Sequence, residues 1–255
     1  MTPIEPHWFF GCPLLGREAV ELLYEAVGHI KKFYSPYFPE TIVSGIRPHG
    51  ETASRLWRFF GSGFDFYLHS AGIQCSASLK DGVDGFLSRR SANHRHKLKK
   101  EGVRASDKGI YFERIMPSSP EDAARTYSRM LAVEYASWKG IGKCGITEPP
   151  SRQFYDIMLR RLSVTKTARV IFAKREDKDI GFIFGGMAGR IYRGQQFSYD
   201  NEWKNFSIGN LMQMEQIHWL CQEGARRYDM GPRMDYKVHW TEKETHMQTW
   251  IIRKK

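Results

Sequence analysis

The stretch of sequence that determines the fold is residues 168–231, ARVIFAKREDKDIGFIFGGMAGRIYRGQQFSYDNEWKNFSIGNLMQMEQIHWLCQEGARRYDMG. Its first part holds three segments rich in β-branched and aromatic residues, separated by short turns, and this pattern predicts consecutive antiparallel strands. The segments span 168–174, 180–187 and 191–199. Ser207 and Gly224 then delimit a helix as its N-cap and C′ residue, and a short strand returns over 227–230. A helix that begins directly after a strand presents unbonded N–H groups, which favour an anion.

The rest of the chain alternates between helical and extended patterns. Helices are predicted over 17–33, 51–60, 83–100, 119–138 and the segment ending at 162, with Pro120 in the first turn of the fourth and Gly102 ending the third. Strands are predicted over 41–46, 64–69, 73–79, 110–115, 237–240 and 247–252, with a turn at Ala71-Gly72. The fold class is therefore α+β with a mixed sheet.

Composition excludes several classes of protein. The chain has 255 residues, of which 41% are hydrophobic and 26% charged, so it forms one large domain or two small packed ones. No apolar run approaches the roughly 18–20 residues that span a bilayer, and no signal peptide is recognisable. The cysteines are scattered without C-x-x-C spacing, which predicts reduced thiols in a cytoplasmic protein and no zinc site. They are Cys12, Cys75, Cys144 and Cys221.

The net charge of +11 is concentrated in residues 88–100, which hold six Lys or Arg and no acid. A basic surface attracts anionic partners. Nucleic acid, a phosphate-bearing cofactor, an acidic carrier protein and anionic lipid all fit, and so does an ordinary solvated helix face. His94 and His96 are two residues apart and do not share a helix face, so no metal site is expected there.

Several short motifs carry a resemblance to a known family. They are Arg89-Arg90 with His94-Arg95-His96-Lys97-Leu98, Glu134-Tyr135-Ala136-Ser137-Trp138-Lys139-Gly140, Phe154-Tyr155, Gln195 to Asp200, Ser207-Ile208-Gly209-Asn210-Leu211, and Tyr228-Asp229-Met230-Gly231 followed by Tyr236-Lys237 and Trp240. With them the chain resembles the GNAT-like acyltransferases of polysaccharide-biosynthesis and peptide-modification clusters, which are relatives of the Fem-type aminoacyl transferases. The resemblance implies a GNAT fold, with a degenerate GNAT-like half over 1–105 and a complete half over 106–255.

The resemblance also implies an activity and a donor site. The expected reaction moves an acyl group from acyl-CoA, or from an acyl carrier protein, to an amine of a peptide, amino acid or amino sugar, without a metal. Ten methionines and many aromatics also suit a flexible groove for a longer acyl chain. The family's phosphate loop, Gln/Arg-x-x-Gly-x-Gly/Ala, is reduced here to one glycine. The residues predicted to bind the donor are Lys204, Ser207, Ile208, Gly209 and Asn210 at the pyrophosphate, and Gln195 and Phe197 along the pantetheine arm.

Acyl transfer to an amine needs a base for the amine and benefits from an acid for the leaving thiolate. Glu134 is the leading base, because a single helix running to Trp138 would place it beside that aromatic ring, which raises a carboxyl pKa. Asp229 and Asp200 are the alternatives, and Tyr236 is the predicted acid. Each of these side chains also has an ordinary structural interpretation.

The remaining predicted site residues would contact the acceptor or the carrier. Arginine binds carboxylate or phosphate with two parallel hydrogen bonds, which suits the basic segment to such a groove. The residues are Arg89, Arg90, His94, Arg95, Trp138, Lys139, Asp200, Lys237, His239 and Trp240.

Two other functions fit the same sequence. One is a Fem-type transferase that uses aminoacyl-tRNA, which the positive charge favours. The other is a non-catalytic module that holds nucleic acid with the basic segment, although no RNA-recognition signature is present.

Overall fold

The computed structural model describes residue 14, residues 16–34 and residues 40–255. Its helices and strands follow one another in the order α1 (Ala19–Tyr34), β1 (Thr41–Ile46), α2 (Glu51–Phe60), β2 (Phe64–Ser78), α3 (Gly82–Ser88), α4 (Ala92–Asp107), β3 (Ile110–Ile115), α5 (Pro120–Ala136), α6 (Trp138–Ile141), α7 (Ser151–Val164), β4 (Ala168–Arg175), β5 (Lys178–Ala188), β6 (Ile191–Tyr199), α8 (Ile208–Gln222), β7 (Arg227–Pro232) and β8 (Lys243–Lys254). Short 3-10 helices cover Asn201–Phe206 and Asp235–Lys237. The predicted α+β class is confirmed.

Contacts within the chain define two compact units. The first consists of the described residues up to Cys75 together with Gly231–Lys255, and the second is Ser76–Met230. This division of contacts differs from the predicted halves 1–105 and 106–255, which concern a relationship between two GNAT-like halves and stay a prediction.

The second unit carries the strands of the decisive stretch. Its strand order is β7-β6-β5-β4-β3. Neighbours are antiparallel from β3 to β6, whereas β7 lies parallel to β6. The predicted order of three antiparallel strands, a helix and a returning strand is therefore confirmed, with α8 as the crossover between β6 and β7.

Both faces of this sheet are covered, which explains why β4 and β5 are almost continuously apolar. Val170 and Phe172 face a core formed with α5 and α7. Ile171 and Ala173, the alternate residues, face a second core that includes Ile208 at the start of α8. The two cores fix α5 on one side of the sheet and α8 on the other.

The first unit is a smaller α+β layer with strand order β1-β8-β2. Thr41 pairs with Ile252 in the antiparallel β1–β8 ladder, and the core beneath it includes Leu56, Phe60 and Trp250.

Several predicted elements differ from the structure. Ala71-Gly72 forms no turn, because Gly72 does not adopt a positive φ and β2 runs on as one strand. The basic helix is interrupted before Ser91, whose Oγ accepts the His94 N–H and starts α4; α4 then continues past Gly102. A strand was predicted over 237–240, and this is wrong. The Lys237 carbonyl accepts N–H groups from Trp240 and Thr241, which makes a turn.

Two remaining expectations concern the N-terminal segment and membranes. Cys12 lies outside the described residues. Within the ranges that are described, no helix combines the length and the apolar character needed to cross a bilayer.

Candidate functional site

The parallel strands β6 and β7 separate after three pairs of residues. Their register runs from Ile191↔Arg227 to Arg193↔Asp229 and stops there, although β6 continues to Tyr199. One residue of β6 is extra in its pairing with β5, since Phe184 lies opposite Gln196 whereas Gly185 lies opposite Gly194. Gln195 is thus a β-bulge. A bulge bends its strand and increases the local twist, which accounts for the divergence of β6 from β7.

The hydrogen-bond alternation along β6 shows which backbone groups face this opening. The Asp200 N–H donates to the Ile180 carbonyl across the β5–β6 ladder. Because bonded and non-bonded pairs alternate in an antiparallel ladder, Ser198 and Gln196 are bonded toward β5. The backbone groups of Phe197 then point to the opposite edge of β6, on the side from which β7 has diverged.

The start of α8 lies against the same strand. No acceptor among the described residues receives a backbone hydrogen bond from Ile208, Gly209 or Asn210. Ser207 occupies the predicted N-cap position, but it is left-handed with φ 54° and its side chain caps no N–H group. Three helix N-terminal amides are therefore available to an anion.

Gly209 permits the close approach of α8 to β6. A Cβ at this position would lie 3.0 Å from Phe197 Cε2 and 3.4 Å from Tyr199 Cε1. The glycine that survives from the family's phosphate loop thus has a packing reason to be glycine. Lys204, in the preceding 3-10 helix, is exposed.

Glu134 is fully buried at the end of α5, with 0% of its surface exposed. Its Oε1 accepts the Ile146 N–H at 3.1 Å and lies 3.5 Å from the Lys139 ammonium. Ser137 donates to the Glu134 carbonyl at 2.8 Å and accepts two N–H groups of α6. The Glu-x-x-Ser-Trp-Lys motif is thus a buried polar cluster.

Gly145 closes this cluster. A Cβ added there would lie 2.0 Å from Glu134 Oε1, which is well inside van der Waals contact. The loop from α6 to Ile146 can therefore fold over the carboxylate only if residue 145 has no side chain.

Lys139 joins the buried cluster to the outer edge of β6. Its Nζ donates to the Phe197 carbonyl at 2.7 Å and lies 3.3 Å from Gln196 Oε1. Burial lowers the pKa of Lys139, and the Glu134 carboxylate opposes that shift. Gln196 in turn donates to the Tyr155 hydroxyl at 2.9 Å.

Trp138 does not share a helix face with Glu134, in contrast to the prediction. Ser137 is extended, with φ −83° and ψ 163°, and it separates α5 from α6. The Trp138 side chain is 59% exposed while Glu134 is buried. The predicted effect of the Trp138 ring on the carboxylate therefore has no geometric basis.

The two alternative carboxylates each have a partner. Asp229 is buried in β7 and Arg193 Nη1 lies 3.0 Å from its Oδ2. Asp200 accepts the Glu202 N–H as the cap of the 3-10 helix and lies 2.8 Å from Lys178 Nζ.

The predicted cationic groove residues have partners that lie close to them along the chain, between residues 78 and 91. Arg89 donates to the Ser78 carbonyl at 2.9 Å and pairs with Asp81. Arg90 is buried with its guanidinium 4.4 Å from the centre of the Phe86 ring, and Arg95 donates to the Arg90 carbonyl. His94 lies in the first turn of α4, where its N–H donates to the Ser91 side chain.

Four predicted site residues belong to the first unit. Burial raises the pKa of the Tyr236 hydroxyl, and the Cys75 thiol adds to the rise. The Lys237 ammonium is buried and donates to the Pro232 carbonyl at 2.8 Å. His239 is exposed and Trp240 is buried. Across the described ranges, no three His, Cys, Asp or Glu side chains converge as a metal site would require.

Sequence reasoning missed Arg193, Gln196 and Gly145. Arg193 follows from the parallel register of β6 and β7, which the strand prediction alone does not provide. Successive side chains of a strand point to opposite faces of the sheet. The two-residue period would therefore have placed Gln196 on the face opposite Gln195, which is the face that α5 covers.

Comparisons with known proteins place this fold in a class of transferases of the GNAT type. The family described as acetyltransferase (GNAT) domain matches residues 92–238, more than half of the chain. The chain belongs to this family, and at that level it is a GNAT-type N-acyltransferase. A comparison with curated protein sequences gives no match.

Three solved structures resemble this chain along most of its length. A conserved protein of unknown function from Bacteroides thetaiotaomicron has a TM-score of 0.63 at 9% identity, covering 94% of this chain and 77% of its own. FemX has a TM-score of 0.62 at 13% identity, covering 91% and 76%. A C-terminal domain of a protein named as a lysylphosphatidylglycerol synthetase, from Agrobacterium fabrum, has a TM-score of 0.61 at 12% identity, covering 94% of this chain and 75% of its own. These identities support the shared fold alone.

Proposed function

We propose that this protein transfers an acyl group from a phosphate-bearing thioester to an amine of a peptide, amino acid or amino sugar. The donor is acyl-CoA or an acyl group on a carrier protein. The observation that carries the proposal is the divergence of β6 from β7 immediately beside the unbonded amides of α8.

The residues at this place fit such a donor. A pyrophosphate would accept hydrogen bonds from the Ile208, Gly209 and Asn210 amides, with the positive end of the helix dipole favouring its charge. Lys204 would add an exposed cation. The outer edge of β6, at Gln195 and Phe197, would lie along the amide-containing arm, while the Phe197 carbonyl stays bonded to Lys139. Bound there, the thioester supplies an activated carbonyl.

The base must be able to reach the amine, and this requirement decides the role of Glu134. A base must reach the amine within hydrogen-bond distance or through one water, and Glu134 is fully buried behind Lys139. We therefore propose that Glu134 acts through its neighbours and that the amine loses its proton to water. Tyr236 stays the proposed acid for the thiolate, because a tyrosine hydroxyl, with an ordinary pKa of about 10, carries a proton at neutral pH.

A carrier could bind along the exposed basic side of α4. We define this basic face as Arg95, His96, Lys97, Lys99 and Lys100, all of which are exposed. Arg104, one turn beyond it, donates to the Asn205 carbonyl at 3.2 Å and stacks on Phe206. The basic face therefore continues toward the start of α8, where the donor's phosphates are proposed to bind. An acidic carrier protein has the complementary charge.

Intact mass spectrometry tests the reaction directly. Candidate amines are incubated with pooled acyl-CoA species and the protein, and the expected result is an amine heavier by one acyl group. Heat-denatured protein is the control. No acylated product with any donor in the pool, or equal product with the denatured control, would remove the proposed activity with acyl-CoA.

A Fem-type transfer from aminoacyl-tRNA is the second candidate, favoured by the fold similarity to FemX and by the basic face of α4. Binding to a polyanion releases its condensed counterions, so the affinity falls steeply as the salt concentration rises. If this candidate is right, tRNA binds tightly at low salt and the tRNA-bound aminoacyl group is transferred. Binding of tRNA without any transfer would instead favour a non-catalytic nucleic-acid module.

A further inference from the structure

We propose that Lys139 is a positioning residue that takes the place of a neighbouring strand along the outer edge of β6, and that buried Glu134 keeps it there. The inference deepens the proposed function, because that function assigns the donor to this same edge. Lys139 and Glu134 then act together to fix the edge of β6 at which the donor is proposed to bind.

The bond from Lys139 lies on the edge of β6 from which β7 has diverged. The strand β7 pairs with β6 only as far as Arg193, and the Phe197 backbone faces the side from which β7 has diverged. At that position the Phe197 carbonyl receives the Lys139 ammonium at 2.7 Å. A backbone carbonyl inside a protein requires a donor, and here a side chain provides it without closing the gap as a strand would.

All three donors of the Lys139 ammonium have acceptors within the protein. An ammonium group has three donors, and three acceptors surround this one: the Phe197 carbonyl at 2.7 Å, Gln196 Oε1 at 3.3 Å and Glu134 Oε1 at 3.5 Å. Such a group is unsuited to binding a substrate in addition. Lys139 therefore acts on the reaction by holding β6, and it is not a catalytic residue.

Neighbouring residues hold Lys139 and Glu134 together. A buried carboxylate is stable only when it is paired and hydrogen-bonded. The extended Ser137 turns the chain so that Lys139 points back at Glu134, and Gly145 leaves room for the carboxylate. Four positions of the motif and its loop thus serve to place one ammonium at the edge of β6.

The alternative is an ion pair that only stabilises the fold. Removing one charge leaves its partner buried and unpaired, so a single substitution cannot separate the two roles. The double variant Lys139→Met/Glu134→Gln removes both charges at nearly constant volume. We expect it to have a melting temperature above that of Lys139→Met alone, because the unpaired carboxylate is gone.

Hydrogen exchange followed by mass spectrometry then tests positioning without any donor. In the folded double variant we expect the amides of 194–199 to exchange about tenfold faster than in the wild type, while those of 168–175 stay unchanged. The control is Arg169→Met/Glu223→Gln, which removes another ion pair of the same unit, with an Nε–Oε2 distance of 2.7 Å and side chains that are 11% and 27% exposed. This control should leave 194–199 unchanged.

A second measurement links the edge to the donor. The affinity for coenzyme A, measured by calorimetry, should fall at least about fivefold in the double variant and by less than twofold in the control pair. Wild-type exchange at 194–199 in a folded double variant contradicts the inference. If the double variant does not fold, Lys139→Arg decides, because a cation there must keep 194–199 protected.

The outcomes for this inference and for the proposed function are distinct. Wild-type protein that binds no coenzyme A would refute acyl-CoA as the donor, and the exchange experiment would still decide the role of Lys139. Faster exchange at 194–199 without any loss of coenzyme A affinity would refute the link between this edge and the donor.

Discussion

Arg193 and Asp229 are register partners at the last paired position of β6 and β7, and Arg193 Nη1 lies 3.0 Å from Asp229 Oδ2. Beyond this ion pair the two strands diverge. Its place indicates that it ties the strands together where the opening begins, on the side of β6 that Lys139 contacts further along.

Asp229→Asn tests whether this carboxylate is structural. We expect the free energy of unfolding to fall by about 1–3 kcal/mol, since a hydrogen bond to a charged group is lost from a largely buried site. Urea unfolding of Asp229→Asn, Arg193→Gln and the double variant measures the coupling. Unchanged stability with a loss of more than about a hundredfold in kcat would instead make Asp229 the base, as one of the sequence alternatives holds.

Lys204→Glu tests the phosphate site. We expect coenzyme A affinity to fall about three- to tenfold, because an exposed charge contributes about 1 kcal/mol or less and the substitution reverses it. Lys80→Glu is the control, since Lys80 is exposed and the adjacent Leu79 N–H bonds Arg226, beyond the other end of α8. Equal effects of the two variants on calorimetric affinity would reject the placement of the phosphate at the start of α8.

Gly145→Ala tests the packing over Glu134. The new Cβ would collide with Glu134 Oε1, so we expect a loss of about 1–3 kcal/mol in stability by chemical denaturation. Gly102→Ala in α4 is matched, because a Cβ there meets nothing within 4 Å, and a gain of about 0.5–1 kcal/mol is expected in a helix interior. Equal stability of both variants would mean that the loop adjusts without cost.

Asp179 links stability to acid pH. Burial raises the pKa of the Asp179 carboxyl. Hydrogen bonds from Arg129 at 2.7 and 2.8 Å outweigh this effect, so the pKa is lowered overall. A lowered pKa means that the folded state binds fewer protons, so the stabilisation is full above the ordinary pKa of about 3.9 and is lost as pH falls through the folded-state pKa.

Asp179→Asn should therefore be less stable than the wild type at pH 7, with a difference that shrinks below about pH 4. Urea titrations at about pH 7, 4, 3 and 2 measure it, because the loss falls below the ordinary pKa. The control is Asp156→Asn, a partly exposed i,i+4 partner of Arg160. A difference for Asp179→Asn that grows toward acid pH has the wrong sign for this account.

Much of the fold could be predicted because its signals are local. The strands 41–46, 110–115 and 191–199 have the predicted bounds, since each is a segment that contains β-branched or aromatic residues and lies between turn residues. The turn at 237–240 was missed because its alternation of residues is typical of a strand. Lys237 is buried with its ammonium on the Pro232 carbonyl, and nothing in the pattern of alternating residues announces that bond.

The candidate site was predictable in outline and not in its connections. Ser207 to Asn210 follow a strand, and this alone suggests an anion site. The role of Glu134 was not predictable, because one extended residue, Ser137, ends α5 and turns Lys139 toward the carboxylate. An uninterrupted helix is equally compatible with Tyr135 to Trp138, and only the buried partners decide between the two.

The central claim is that a phosphate-bearing thioester binds between the start of α8 and the outer edge of β6. Backbone amide chemical shifts in the presence of a non-hydrolysable thioether analogue of acetyl-CoA measure this most directly. We predict that the largest shifts fall on residues 194–199 and 208–210. Saturable binding with shifts confined to other segments, or no shifts at millimolar analogue, would contradict it.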